Sequence, residues 1–399
     1  MNNSIVTSLC VLCAILTAIQ RASAQGPLTP PGAPAPTMLT LSQVEPRTPI
    51  TNTTAVTISA PGSYYLTANI SVTSGSAITI TASQVTLDLN GFTITGTGTA
   101  NTGILLAGGD TDITILNGHI LGNVFANGIN YSGSAPVNVR VSGVSVSGCS
   151  AYGILLGTAS STVVESCTVQ AIGVWGIEAS TVSHSSAYQC GGNAIIANTA
   201  ENCYGNCTGS GEGLYAGTAN DCYGYSSSGY GLYATTATGC YGFTGTGPGG
   251  LDANNANNCY GYSSGNGDGL DATTADNCQG VSTGINAGNS SGNGLSAYTA
   301  NNSAGQSLNA SGLNATYTAI GCFGTSTYGI GLNADNASNC YGTSGGPGAD
   351  GLYAIDIAIG CSGINTGGGT GLRANIANSC AGSGSPRLTV TSPFNMPYP

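Results

Sequence analysis

Asp252 and Asp271 hold the same place in two copies of a short unit, Gly-Leu-Asp-Ala, and stand 19 residues apart. If each copy belongs to one coil of a stacked chain, the two carboxyls lie about 5 Å apart, in the range of the nucleophile and acid of a retaining glycosidase. Two acids that close also push one pKa upward. Asp268 precedes Asp271 by three residues, and it would complete an acidic cluster or add an oxygen ligand to a calcium site. The simpler expectation is a solvated acidic surface, since nothing else in the sequence marks a cleft.

The unit Gly-Leu-x-Ala begins at Gly213, Gly231, Gly250, Gly269, Gly294, Gly312, Gly331, Gly351 and Gly371, and its third position reads Tyr215, Tyr233, Asp252, Asp271, Ser296, Asn314, Asn333, Tyr353 and Arg373. If Leu and Ala face inward, this position faces out. A second position, directly after a recurring cysteine, reads Tyr204, Tyr223, Tyr241, Tyr260, Gln279, Ala304, Phe323 and Tyr341. Aromatic columns of this kind offer apolar ring surface and polar edges to sugars. Tyr204, Tyr215, Tyr223, Tyr233, Tyr241 and Tyr260 are therefore candidate ligand contacts. Their alternative role is to stabilise neighbouring coils, as cross-strand aromatic pairs do.

The cysteines follow the same beat. Cys222, Cys240, Cys259 and Cys278 form one run, Ser303 takes the next place, and Cys322, Cys340, Cys361 and Cys380 resume it. Buried free cysteine behaves as a small hydrophobe, so the first expectation is a structural ladder of stacked thiols. Disulfides between coils are the rival in an oxidising compartment, although parallel Cβ vectors suit an S–S bond poorly. A soft-metal site of stacked thiolates is a third alternative. The Ser303 gap speaks against obligatory pairing, and Cys203 with Cys207 reads as a separate C-x3-C pair.

What must position these residues is a repeat of 18 to 20 residues, with one interval of 25. Helical repeats need 33 or more residues and strong helix formers. A period of 18 to 20, rich in turn residues, predicts an all-β solenoid with about three short strands per coil, stacked at about 4.8 Å. Degenerate copies at Gly153, Gly176 and Ala194 extend the repeat backwards. Upstream, "AVTISAPGSYYLTANISV" and "SAITITASQVTLDLNGFTITG" alternate apolar and polar residues at the strand period.

"PGSYYLTANI", "VTLDLNGFTITG" and "ITILNGHILG", within residues 61 to 122, resemble the opening coils of secreted bacterial right-handed parallel β-helix proteins of the pectate-lyase and polygalacturonase-like superfamily. The resemblance covers roughly residues 40 to 150 and implies a right-handed parallel β-helix in an exported protein. It does not imply an activity, because the superfamily holds lyases, hydrolases and adhesins. Its lyases generally use an Arg or Lys base beside acidic calcium ligands, and its hydrolases an acidic cluster with His and basic residues. This chain has no lysine, and after the leader only Arg47, Arg140, Arg373 and Arg387. Neither His119 nor His184 sits in a Gly-His-Gly setting. Asp88, Asp110 and Asp112 match structural polar positions of that superfamily.

Residues 1–24 read as a secretory signal, with an apolar run from Ile5 to Ile19 and a small-x-small site at Ala22-Ser23-Ala24. Residues 25–40 form a proline-rich leader, 41–382 the β-helix (41–65 as its N-terminal cap, 66–150 strand-rich coils, 151–382 the Gly-Leu-x-Ala repeats), and 383–399 a C-terminal cap or tail. Beyond the leader, 16 acids face four arginines. That balance disfavours nucleic acid and anionic membrane surfaces as partners, and no membrane span is expected after signal cleavage. The sequence thus predicts a secreted, periplasmic or cell-surface rod without catalytic activity, structural, adhesive or polysaccharide-binding, with polysaccharide or a cell-envelope component as partner. A polysaccharide lyase or glycoside hydrolase is the alternative.

Overall fold

The computed structural model describes residues 45–159, 161–284 and 292–395. The leader and the proline-rich segment lie outside the described residues. Contacts divide the chain at Arg47, and the description that follows concerns Arg47 onward. The fold is an all-β parallel solenoid of about 18 turns with about 19 residues per coil, and the described residues contain no helix. At about 4.8 Å per coil the stack rises roughly 85 Å.

One coil shows why the sequence folds this way. The strand Tyr223–Ser226 turns inward with Gly224 and Ser226 and outward with Tyr223 and Tyr225. A turn through Ser227–Tyr230 leads to the strand Leu232–Thr238, which buries Leu232, Ala234 and Ala237. Pairing skips Thr235, where the chain bends, so this strand covers two faces of the coil. Each residue then sits in register with its counterpart one coil on, as in Leu232↔Leu251, Tyr233↔Asp252 and Ala234↔Ala253. The leucine column continues upstream through Ile195, Ile177, Ile154, Ile129, Ile104 and Ile78. The strand-rich coils and the glycine-rich repeats are therefore one continuous ladder.

The repeats are thin because two glycine columns oppose each other. A Cβ on Gly205, Gly224, Gly242, Gly261, Gly280, Gly305, Gly324, Gly342 or Gly363 would collide with the carbonyl oxygen of the Gly-Leu unit in its own coil. On the other side, a Cβ on Gly231 would strike the backbone of Phe243 and one on Gly250 that of Tyr262. The two strands touch backbone to backbone, and Leu, Ala, Cys, Ser, Thr and Asn fill the space around that contact.

Every coil also turns one corner in the left-handed region. Asn202, Asp221, Gly239, Asn258, Asn277, Asn302, Gly321, Asn339, Gly360 and Ser379 have φ between 46° and 63°. Gly, Asn and Asp tolerate that conformation best. The next residue points inward, which makes the thiol column Cys203, Cys222, Cys240, Cys259, Cys278, Ser303, Cys322, Cys340, Cys361 and Cys380. All the cysteines from Cys149 to Cys380 are free and buried.

These thiols finish the corner. The Sγ of Cys259 lies 3.2 Å from the carbonyl of Asn257 and 3.3 Å from that of Ala237, both acceptors for its S–H. Other sulfurs of the column also accept: the N–H groups of Cys322, Cys340 and Cys361 donate to the Sγ atoms of Cys340, Cys361 and Cys380 at 3.4–3.5 Å. Ser303 makes the same bonds with oxygen, donating to Asn301 at 2.8 Å and accepting from the Cys278 N–H at 3.1 Å. The serine gap is thus a substitution of like for like.

Cys203 and Cys207 do not form a unit. Cys207 is in register with Cys190 on one side and Ser226 on the other. It belongs to a second buried column that continues as Ser226, Thr244, Ser263, Ser282, Ser307, Ser326, Ser344 and Asn365. Its hydroxyls close the turn after the first strand. Thr244 donates to the Gly229 carbonyl at 2.7 Å and accepts from the Gly247 N–H at 2.9 Å. Ser263 is an exception whose Oγ has no partner.

Parallel pairing runs through both end segments. Thr48–Ile50 already pairs in parallel with Gly62–Leu66. Leu388–Phe394, in the segment read as a cap or tail, forms a further rung on Leu372–Asn378. Pro393 lies in that last strand, and proline removes a donor from an edge where another chain could pair.

Two outcomes follow from this packing. Gly242→Ala loses about 1–3 kcal/mol of stability, read as a lower denaturant midpoint, whereas Thr235→Ala, at the exposed bend, stays within about 0.5 kcal/mol. In denaturant without reductant, the thirteen cysteines from Cys149 to Cys380 all react with a thiol reagent, and in the native protein they react slowly. Peptide mapping that finds any of them modified only after reduction would show that the column is cross-linked.

Candidate functional site

The strands Tyr204–Cys207, Tyr223–Ser226, Tyr241–Thr244 and Tyr260–Ser263 lie side by side. Because Tyr204, Tyr223, Tyr241 and Tyr260 share one register position, their rings stack at centroid distances of 5.0, 4.9 and 4.8 Å, with planes within 9° of parallel. Two residues further along, Tyr225, Phe243 and Tyr262 form a parallel column at 5.1 and 5.0 Å. The sequence reading missed this second column. Its signal was the aromatic at both ends of Tyr-Gly-Tyr and Tyr-Gly-Phe, which the strand period places on one face.

Inside these columns the ring faces are occupied by neighbouring rings, so an incoming ligand meets edges and phenol hydroxyls. Partial burial raises the pKa of Tyr223, Tyr241 and Tyr260, with smaller contributions from neighbouring tyrosines. The phenols therefore stay protonated and able to donate at neutral pH. Tyr215 and Tyr233 lie on a different face, stacked at 5.3 Å. Tyr230 leans against Tyr233 at 5.5 Å with its plane tilted by 53°.

The acids do come together. Asp252 and Asp271 are in-register partners on adjacent strands. They line an open groove of about 340 Å³ with Asn254, Thr273, Ser296 and Tyr298. Burial raises the Asp252 pKa, the Asp271 charge raises it further, and a hydrogen bond from Tyr230 opposes both. Asp271 is raised by its partly enclosed setting, against a hydrogen bond from Ser296. Asp268 is pushed up to about 6, chiefly by burial, although the Asn293 N–H donates to its Oδ1 at 2.6 Å.

Among the described residues no cation joins them. Arg47 pairs with Asp88 at 3.0 Å, Arg140 with Glu165 at 2.6 Å and Arg373 with Asp350 at 3.3 Å. Arg387 donates to the Gly382 carbonyl. His119 is exposed on the strand Thr111–Leu121, and His184 is a corner residue four coils before Asp252. Among the described residues no group of three or more His, Cys, Asp or Glu side chains is placed to hold a metal ion. Asp88 and Asp112 are structural: Asp88 also accepts from the Asn90 N–H and from Asn117, and Asp112 accepts from Asn138.

A second open groove, of about 580 Å³, lies where the tyrosine column begins, between Tyr204 and the corner residues His184, Asn202 and Asp221. Neither histidine nor this groove was singled out by spacing, because the corner column varies in residue type from coil to coil.

Comparison of the chain with protein-family models, with curated proteins and with solved structures gives no match. No helix among the described residues is long and apolar enough to cross a membrane.

The raised Asp268 pKa makes a sign-definite prediction. A carboxyl that holds its proton more tightly folded than unfolded stabilises the fold at low pH, and that contribution is lost as pH rises through the folded pKa. Between about pH 4 and 6 the native protein should lose stability relative to Asp268→Asn, whose amide oxygen can still accept from Asn293. The difference is near zero at pH 4 and on the order of 1–3 kcal/mol at pH 7.5. Melting curves of both proteins across that range test it, and a pH-independent difference would contradict it.

Proposed function

We propose that this protein is an exported, non-catalytic rod that binds polysaccharide, in the extracellular space, the periplasm or at the cell surface. The observation that carries the reading is the aromatic face, where seven rings in two columns, six of them phenols, repeat at one coil spacing. A linear polymer with regularly spaced hydroxyls can meet such a face at many points, and weak contacts sum when they share one rigid support. The leader at residues 1–24 supports export, and the acidic balance of the chain argues against polyanionic nucleic acid as the partner.

The rival reading is a polysaccharide lyase or glycoside hydrolase of the pectin-degrading β-helix type. It is favoured by the Asp252, Asp268 and Asp271 group and by the Asp268 pKa of about 6. It lacks the cationic and imidazole partners that the resembling enzymes use: among the described residues each arginine is engaged elsewhere, and neither histidine stands beside the acids.

The two readings separate in one assay. The protein is passed over immobilised neutral and acidic polysaccharides while new reducing and unsaturated ends are followed in the same samples. Retention without new ends is expected, weakened at least tenfold in the double variant Tyr241→Ala with Tyr260→Ala and unchanged in Asp252→Asn with Asp271→Asn. Turnover abolished by the aspartate changes would replace the binding rod with an enzyme.

A further inference from the structure

The first tyrosine column has a free beginning. Tyr204 is covered on one side by Tyr223, at 5.0 Å. On the other side its register partner is Ser186, too small to cover a ring. Tyr204 is accordingly 40% exposed, while Tyr223, Tyr241 and Tyr260 are half-buried. The uncovered face of Tyr204 opens into the groove of about 580 Å³.

The walls of that groove come from three successive corners. His184, Asn202 and Asp221 all take the left-handed conformation, and all three are exposed. His184 Nε2 lies 3.5 Å from Asn202 Nδ2. In the next coil the corner residue is Gly239, where a Cβ would collide with Asp221 Oδ1, so glycine keeps the space beside that carboxylate open. One flat apolar surface is thus edged by an amide, an imidazole and a carboxylate, with donors and acceptors together.

We infer that this groove is a binding subsite for one neutral hexopyranose unit of a polysaccharide, an inference that rests on the polysaccharide-binding reading above. A pyranose has a face of C–H groups and a rim of hydroxyls. The C–H face packs on Tyr204, and the rim hydroxyls donate to Asp221 and exchange hydrogen bonds with Asn202 and His184. Charge sets the class of sugar. Asp221 places a carboxylate in the groove, and no arginine lines it, so a uronate or a sulfated sugar meets repulsion where a neutral sugar finds an acceptor. This selects against the acidic glycans that the pectin-degrading resemblance suggests.

The test is calorimetric titration of the full protein with cellotetraose, mannotetraose, laminaritetraose and maltotetraose as neutral probes, and tetragalacturonate as the acidic probe. At least one neutral probe binds, and tetragalacturonate binds at least tenfold more weakly. Tyr204→Ala weakens the neutral probe at least tenfold, and Tyr204→Phe, which keeps the ring face, changes it less than threefold. Asp221→Asn narrows the gap between neutral and acidic probes. The inference is overturned if no neutral probe binds, if tetragalacturonate binds as well as the best neutral one, or if binding survives Tyr204→Ala in a protein that melts like the parent. Retention on polymers that depends on Tyr241 and Tyr260 but not on Tyr204 would overturn the subsite and leave the rod standing. Absence of all retention would remove both.

Discussion

Backbone contact between the two opposed glycine columns sets the dimensions of the repeat coils. With Gly242 against Gly250, and the same pair repeated in every coil from Gly205 to Gly371, the space between the strands is closed before any side chain is placed. What volume is left lies to the sides of that contact, and it takes one leucine, two alanines and one thiol or hydroxyl at each flank. Interiors are close-packed, so this geometry admits no larger residue. The strand-rich coils before residue 150 lack the opposed glycines of the repeats and hold Ile, Val, Leu and Phe125 instead. The change in composition along the chain is therefore a change in coil thickness on one continuous ladder.

A thin coil has a high share of backbone to satisfy, and the two polar columns meet that need. Corner carbonyls and turn N–H groups that no strand reaches are bonded by Cys or Ser on one side and by Ser, Thr or Asn on the other. A buried, unpaired carbonyl or N–H is costly, which gives these small polar residues a structural reason to recur. Cysteine here acts as a hydroxyl analogue of lower polarity. Burial pushes the Cys149 and Cys190 thiols up to about 12, and along the repeated column thiol-to-thiol hydrogen bonds raise some members, such as Cys340 and Cys361, and lower others, such as Cys259 and Cys322.

Register converts residue choice into surface pattern. A tyrosine placed once per coil becomes a stack of rings, and an aspartate placed twice becomes a pair of carboxyls that repel. The same rule supplies ends as well as columns. Where Tyr gives way to Ser186 below Tyr204, a ring face is left open, and a stacked array gains a place that differs from the rest. A solenoid can therefore carry both a repetitive binding face and a local subsite without any departure from its backbone path.

Much of the fold was legible in the sequence, for reasons that can be named. Gly-Leu-x-Ala at 18 to 20 residues fixed the coil length, because each copy must pair with the next. Small residues at its first and fourth positions fixed which way the leucine points. The tyrosine positions, the cysteine column and the adjacency of Asp252 and Asp271 followed from register alone. Tertiary structure decided the rest. Cys203 and Cys207, four residues apart, belong to different columns because Gly205 turns inward between them. Leu388–Phe394 could be assigned as a rung only once its partner Leu372–Asn378 was in place, since its own sequence lacks the repeat. That the tyrosine faces are occupied within the column and free at Tyr204 depends on ring orientation and on the small neighbour at Ser186. Periodicity determined what stacks on what, and three-dimensional packing decided which surfaces that stacking leaves exposed.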